Sequence, residues 1–169
     1  MLDFIKNIAY EAGKILKGGY EAELKSVRHK GDIDLVTEID LAIEKYLTDE
    51  ISSNYSKHFI LAEENASFDE CLKNDSLWII DPLDGTTNFT HKYPFCAISI
   101  AYKKNHELYY GVVYNPLSNE MFFAEKNKGA FLNGKPIKIS KEQRLSHSLV
   151  ATGFPYDRWE RGDDYVKEF

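Results

Sequence analysis

Trp78-Ile79-Ile80-Asp81-Pro82-Leu83-Asp84-Gly85-Thr86-Thr87-Asn88-Phe89 is the stretch that organises the chain. Leu77 to Ile80 is apolar and rich in β-formers, so it reads as a buried strand. Pro82 and Gly85 then break it in a sharp turn. The turn swings two carboxylates, Asp81 and Asp84, toward one concave place. Two close carboxylates repel by several kcal/mol at low effective dielectric, roughly 332/(εr). They either share a proton or hold a cation, although Asp-Pro-Leu-Asp-Gly is also ordinary turn chemistry. Gly85 lets backbone N–H groups approach an anion, and Thr86 and Thr87 add hydroxyl donors. An oxygen-only donor set beside an anion cradle favours Mg²⁺, and a turn without His or Cys argues against zinc.

Upstream, Leu2, Ile5, Ile8, Ala9, Ala12, Ile15 and Leu16 recur at helical spacing. The spacing predicts an amphipathic helix over 2–17, ended by Gly18-Gly19. Residues 21–33 are polar and suggest a loop or weak hairpin. A second helix is expected from Thr37 to about Ile51, capped by Thr37 or Asp34. His58 to Ala62 has strand character, and 65–76 reads as a surface loop that holds at most a helical turn.

Downstream, strands dominate: Cys96–Tyr102, Leu108–Tyr114 and Glu120–Ala124. Asn105, Asn115-Pro116 and Asn133-Gly134 are turn signals that suggest hairpins, with Ile137-Lys138-Ile139 after the last. Leu149 to Phe154 reads as a strand entering a new unit. No internal repeat or low-complexity segment occurs. The order is helix, helix, strands, which predicts an α+β fold with helices packed on an antiparallel sheet.

Two further acidic places fit the turn. Glu63-Glu64 follow the 59–62 run, where one of the two would face the site and the other solvent. A solvated pair at a strand end is the plainer reading. Asp34 and Asp40 bracket the start of the second helix, where capping explains one acid better than two.

Composition narrows the class. Lys plus Arg is 21 and Asp plus Glu is 27 in 169 residues, a net charge of −6. That lacks the basic footprint of a nucleic-acid binder, so a phosphate ester would need bound cations for local positive charge. At 43% hydrophobic and 14% aromatic residues the chain can build a packed core. Cys71 and Cys96 have no CxxC partner or ligand-spaced His, and read as ordinary thiols of a reducing compartment. Without a signal-type N-terminus or an apolar run near ~20 residues, the expected place is the cytoplasm, away from membranes. His29, His58, His91, His106 and His147 lack ligand spacing, and His91 reads as a local hydrogen-bonding residue.

Taken together, residues 78–91 resemble the signature of the inositol monophosphatase family of Mg²⁺-dependent, lithium-sensitive sugar phosphatases. Asp34 to Asp40 is similar to its upstream acidic motif, and Ala62-Glu63-Glu64 to its Gly-Glu-Glu motif. Gly111 to Tyr114 and Lys128 to Gly134 match as well, with order and spacing kept across residues 1–155.

The resemblance implies Glu63, Asp81 and Asp84 as metal carboxylates, the Leu83 carbonyl as a further ligand, and two or three Mg²⁺ in the complete site. It implies Gly85 and Thr86 as phosphate donors beside Asp84. Thr86 with Asp40 would orient an attacking water, with Asp34 and Glu64 in support; a turn-stabilising hydroxyl is the alternative for Thr86. The implied reaction is hydrolysis of an inositol or sugar phosphate monoester by a metal-activated water. Fructose 1,6-bisphosphate, NADP and 3′-phosphoadenosine phosphates are alternative substrates, and a non-catalytic metal-binding or regulatory module is the alternative role. A small-molecule ester is the expected partner, and the resemblance allows a homodimer.

Family members continue for roughly a hundred residues as a second α/β layer carrying a Trp-Asp ligand motif, whereas Trp159 here is followed by Glu160. Residues 1–146 are therefore expected to form the α+β metal-binding domain. Residues 147–169 would begin an α/β domain that is largely missing, leaving weak Mg²⁺ binding and slow turnover.

Overall fold

The computed structural model describes residues 1–22, 27–29, 35–62, 74–151 and 158–167. Helix α1 spans Leu2–Glu21. Its Ile5, Ile8, Ala9, Ala12 and Leu16 form a buried stripe at 3.6-residue spacing. The helix passes through Gly18-Gly19, contrary to the expected stop. Packing overrides the glycine signal: a Cβ on Gly19 would lie 2.5 Å from Ile39 Cδ1, so glycine there serves close helix approach.

Strands β1 (Val27–His29) and β2 (Leu35–Thr37) pair antiparallel; the loop or weak hairpin expected over 21–33 takes in only the first of them. Helix α2 (Glu38–Asn54) starts directly after β2. Thr37 is its N-cap, and Thr37 and Asp40 form a reciprocal capping box. Asp34, the other candidate cap, lies outside the described residues.

The main sheet has seven strands in sequence order: β3 (Phe59–Ala62), β4 (Ser76–Asp84), β5 (Ala97–Lys104), β6 (Glu107–Asn115), β7 (Glu120–Glu125), β8 (Gly129–Leu132) and β9 (Lys135–Ile137). All neighbours run antiparallel except β3 and β4, which are parallel. The sheet is thus mixed at one edge. A parallel pair requires a crossover of about a dozen residues, and 63–75 supply that length.

Asn105 and His106 both have positive φ, as do Asn133 and Gly134, matching the two-residue hairpin turns that suit sheet twist. The final strand stops at Ile137, short of the expected 139, because its partner β8 runs out at Gly129. Leu149 and Val150 are in no strand, and Leu149 is 101% exposed. Among the described residues no neighbouring strand is there to take their backbone hydrogen bonds. A last helix, Arg158–Val166, is the final element of the described chain.

Helices α1 and α2 cover one sheet face, where Trp78, Ile80, Ile98, Ile100, Tyr102, Val112 and Tyr114 join the helical stripe in one core. Burying each large aliphatic side chain there contributes about 1.5–3 kcal/mol. The opposite face carries partly exposed Val113, Phe122 and Ile137.

Candidate metal and phosphate site

Strand β4 does not end at Pro82. Its ladder with β5 pairs Asp81 with Ser99 and Asp84 with Ala97, with a register shift between them. Three steps on β4 are matched by two on β5, so one extra residue is bulged out. Pro82, which has no N–H to give a ladder, fits such a place. The consequence is geometric. Residues three apart in a regular strand face opposite ways, but Ser99 and Ala97 share a face, and ladder partners point to the same side. The bulge therefore sets Asp81 and Asp84 on one face of the sheet, away from α1 and α2.

Beyond Asp84, Gly85 has φ 85° and ψ 37°, a left-handed conformation. It leads into helix α3 (Thr86–Thr90), a short element the sequence reading did not anticipate. Glycine is needed twice over here: a Cβ at 85 would also lie 2.9 Å from the Phe95 carbonyl oxygen. That carbonyl accepts a hydrogen bond from Asn88 Nδ2 at 2.7 Å, which ties α3 to the start of β5. The first N–H groups of α3 have no acceptor within the helix.

Asp81 Oδ1 accepts from the Leu83 amide at 3.1 Å, closing an Asx turn that fixes the carboxylate. Thr86 Oγ1 lies 3.0 Å from the Leu83 carbonyl oxygen and 3.1 Å from Asp40 Oδ1. Its single proton is shared between them. Asp40 is 4% exposed. Its Oδ2 accepts from the Thr37 amide at 2.9 Å and from the Thr37 hydroxyl. Burial pushes the Asp40 carboxyl above its ordinary value, and the hydrogen bonds from Thr37 and Thr86 oppose this without cancelling it.

The structure thus joins Asp40, Leu83 and Thr86 directly, across 46 residues of sequence between Asp40 and Thr86. Glu63, Glu64 and Asp34 lie outside the described residues. Strand β3 ends at Ala62, whose partner Ile80 immediately precedes Asp81. Among the described residues no group of three or more His, Cys, Asp or Glu side chains converges. The donors present are carboxylate and carbonyl oxygens, a set that suits a hard cation such as Mg²⁺ and not a thiolate-seeking metal.

Asp84 and Gly85 also line a cleft of about 370 Å³ with Asn88, Cys96, Asn115 and Glu120. Sequence reading missed Asn88, Asn115 and Glu120 in this role. Asn88 lies within the organising stretch, but the other two arrive from β6 and β7 with no local signal. Cys96 is an unpaired buried thiol. Burial, with Asp84 nearby, pushes it up to about 11. His91 behaves as expected, with Nδ1 donating to the Thr87 carbonyl at 2.8 Å. No helix among the described residues is long and apolar enough to cross a membrane.

The model of the inositol monophosphatase family matches residues 1–167. The inositol monophosphatase of Dictyostelium discoideum is 37% identical, over 95% of this chain and 59% of its own length. Inositol monophosphatase 3 of Solanum lycopersicum is 42% identical, over 89% and 57%. Among solved structures, the IMPase of Thermotoga maritima superposes with a TM-score of 0.85 at 36% identity, covering 99% of this chain and 64% of that one. The chain spans a little over half the length of the curated relatives it matches.

Proposed function

The chain belongs to the inositol monophosphatase family, and from that membership together with the bulged site we propose that it binds Mg²⁺ and serves hydrolysis of an inositol or sugar phosphate monoester. One observation carries the reading: the bulge between Asp81 and Asp84 sets both carboxylates on one sheet face, beside a Thr86 hydroxyl bonded to Leu83 and Asp40.

Asp81, Asp84 and the Leu83 carbonyl would hold the metal, with Glu63 from the chain just after β3 as a further carboxylate. Leu83 O retains a lone pair beyond the one facing Thr86, so it can serve both partners. Bound Mg²⁺ would supply charge neutralisation at the phosphoryl oxygens and a more acidic water.

The remaining work falls to the protein. Asp81 is pre-set by the Leu83 amide and needs little reorganisation. Gly85 and Thr86 present N–H groups to the phosphate, where a left-handed glycine leaves room for its oxygens. Asp40 accepts a hydrogen bond from the Thr86 hydroxyl, leaving that oxygen's lone pair to accept a hydrogen bond from the attacking water and so orient it. Asp40 is in turn held by two donors from Thr37, so the pair orients without rearranging. Asp34 and Glu64 support this shell. The core behind β4 excludes water from the side of the site that faces the helices. The domain reading accompanies this proposal: residues 1–146 form the metal-binding α+β unit, and 147–169 open a second.

The test is calorimetric titration of Mg²⁺ into the chain and into Asp84→Asn, with phosphate release from inositol 1-phosphate followed in parallel. Binding by the wild type that is weakened at least tenfold in the variant supports the reading, and equal binding by both refutes it. Metal binding without phosphate release would instead identify a non-catalytic metal-binding module. Fructose 1,6-bisphosphate and NADP in the same assay separate the alternative substrates.

A further inference from the structure

Helix α1 ends with an electrostatic deficit. Its last turn contains no basic residue, so the negative end of the helix and its last carbonyls are uncompensated by its own sequence. Lys92, which lies 72 residues from Tyr20, supplies the charge. Its ammonium donates to the Tyr20 carbonyl and, at 2.9 Å, to the Ala22 carbonyl, and sits 5.2 Å over the Tyr20 ring. The contact is reciprocal, because the Tyr20 hydroxyl donates to the Lys92 carbonyl at 2.5 Å. Lys92 holds the left-handed backbone conformation, φ 57°, that brings its own carbonyl and its ammonium to the same helix end.

The same two residues grip α3. The Tyr20 ring packs edge-on to Phe89, centroids 5.8 Å apart, and Phe89 is fully buried in the core. The Lys92 amide donates to the Phe89 carbonyl at 3.1 Å, and the Tyr93 amide to the Asn88 carbonyl at 2.8 Å. The segment that begins with Thr86 is thus anchored at its start by Asp40 and at its end by the α1 terminus.

We propose that Tyr20 and Lys92 form a reciprocal clasp that fixes residues 86–92 against the end of α1, making both positioning residues for the Thr86 hydroxyl. Its catalytic meaning rests on the function proposed above, but the clasp itself is read without metal or substrate. The salt-like bonds of an ammonium to two carbonyls are the strong part of the arrangement, and they explain why a helix carrying Gly18-Gly19 continues to Glu21.

Hydrogen exchange followed by mass spectrometry tests it. The reporters are the amides of Phe89, His91, Lys92 and Tyr93, each bonded within this segment. In Lys92→Met their exchange should accelerate about tenfold, as charge-assisted bonds are lost. Amides of β5 and β6 should keep their protection and the urea midpoint should barely move. Tyr20→Phe should give a smaller acceleration at the same amides, and Lys92→Arg should restore protection. Unchanged exchange at 89–93 in Lys92→Met overturns the clasp, as does a loss of protection spread evenly through the sheet. Mg²⁺ affinity measured on the same variants separates the two ideas. A wild type that binds no Mg²⁺ counts against the proposed function, whereas the exchange data decide the clasp either way. A wild type that releases phosphate from inositol 1-phosphate, with Lys92→Met releasing it equally fast despite the faster exchange, overturns the positioning role.

Discussion

Replacing Gly85 with alanine should be far more costly than its size suggests. The residue sits at φ 85°, ψ 37°, where an L-residue costs about 1–2 kcal/mol relative to glycine. A Cβ there would also stand 2.9 Å from the Phe95 carbonyl oxygen and 3.4 Å from Cys96 Cα. Both are backbone atoms just before β5, so neither can swing aside as a side-chain tip could. Overpacking of this kind costs about 1–3 kcal/mol. The two terms together give about 2–5 kcal/mol, against a total stability on the order of 5–15 kcal/mol for a domain. With a urea dependence of about 1–3 kcal/mol per molar, the unfolding midpoint should fall by about 1–2 M. Gly85→Asn divides the sum, since asparagine tolerates the left-handed region but carries the same Cβ. It should recover about 1 kcal/mol of the loss. Equilibrium urea unfolding followed by tryptophan fluorescence measures both variants, Trp78 being a buried reporter. A Gly85→Ala midpoint indistinguishable from wild type would refute the claim that this position is closed to a side chain. Identical Ala and Asn values would refute its conformational half.

Other consequences follow from the same geometry. Gly18→Ala places its Cβ in open space, whereas Gly13→Ala meets Tyr114 Cε1 at 2.4 Å. The first should gain about 0.5–1 kcal/mol in urea unfolding through helix propensity and the second should lose about 1–3 kcal/mol, although both lie in α1. His58 accepts a hydrogen bond from Trp78 Nε1 at 3.1 Å, and burial, with Lys104 nearby, lowers its affinity for a proton. The neutral ring is the folded form, so its contribution is complete above the ordinary value near 6.5 and is lost as pH falls from there toward the depressed folded value. Stability measured between about pH 7.5 and about pH 5 should therefore decline less in His58→Gln than in the wild type. The Cys96 thiol, raised to about 11, should resist alkylation by iodoacetamide at about pH 8 in the folded chain and react once urea unfolds it, as peptide mapping would reveal.

Several features were legible because they are local. The stripe from Ile5 to Leu16 declares a helix by its spacing, the Asn105 and Asn133 turns declare hairpins, and Thr37 three places before Asp40 is a capping box in plain sequence. Asp81, Asp84, Gly85 and Thr86 were readable as a group because one short run holds them. Errors arose where long-range contacts outweigh local preference. Gly18-Gly19 has the composition of a helix stop, but Ile39 packs against one glycine and Lys92 compensates the carbonyls beyond. Pro82 has the composition of a strand end, yet the partner strand β5 continues and absorbs it as a bulge. Glu63, Glu64 and Asp34 are acids of the organising pattern that lie outside the described residues.

By itself, then, the amino-acid sequence determined the α+β class and the family, because periodicity, turn residues and signature motifs are properties of short segments. Only the tertiary structure decided that Asp81 and Asp84 share a sheet face, since parity in a strand depends on the neighbour against which its residues are counted. The resemblance had paired Asp40 with Thr86, but the 3.1 Å contact between them and the unanticipated meeting of Tyr20 with Lys92 depend on how α1, α2 and α3 pack around the end of β4.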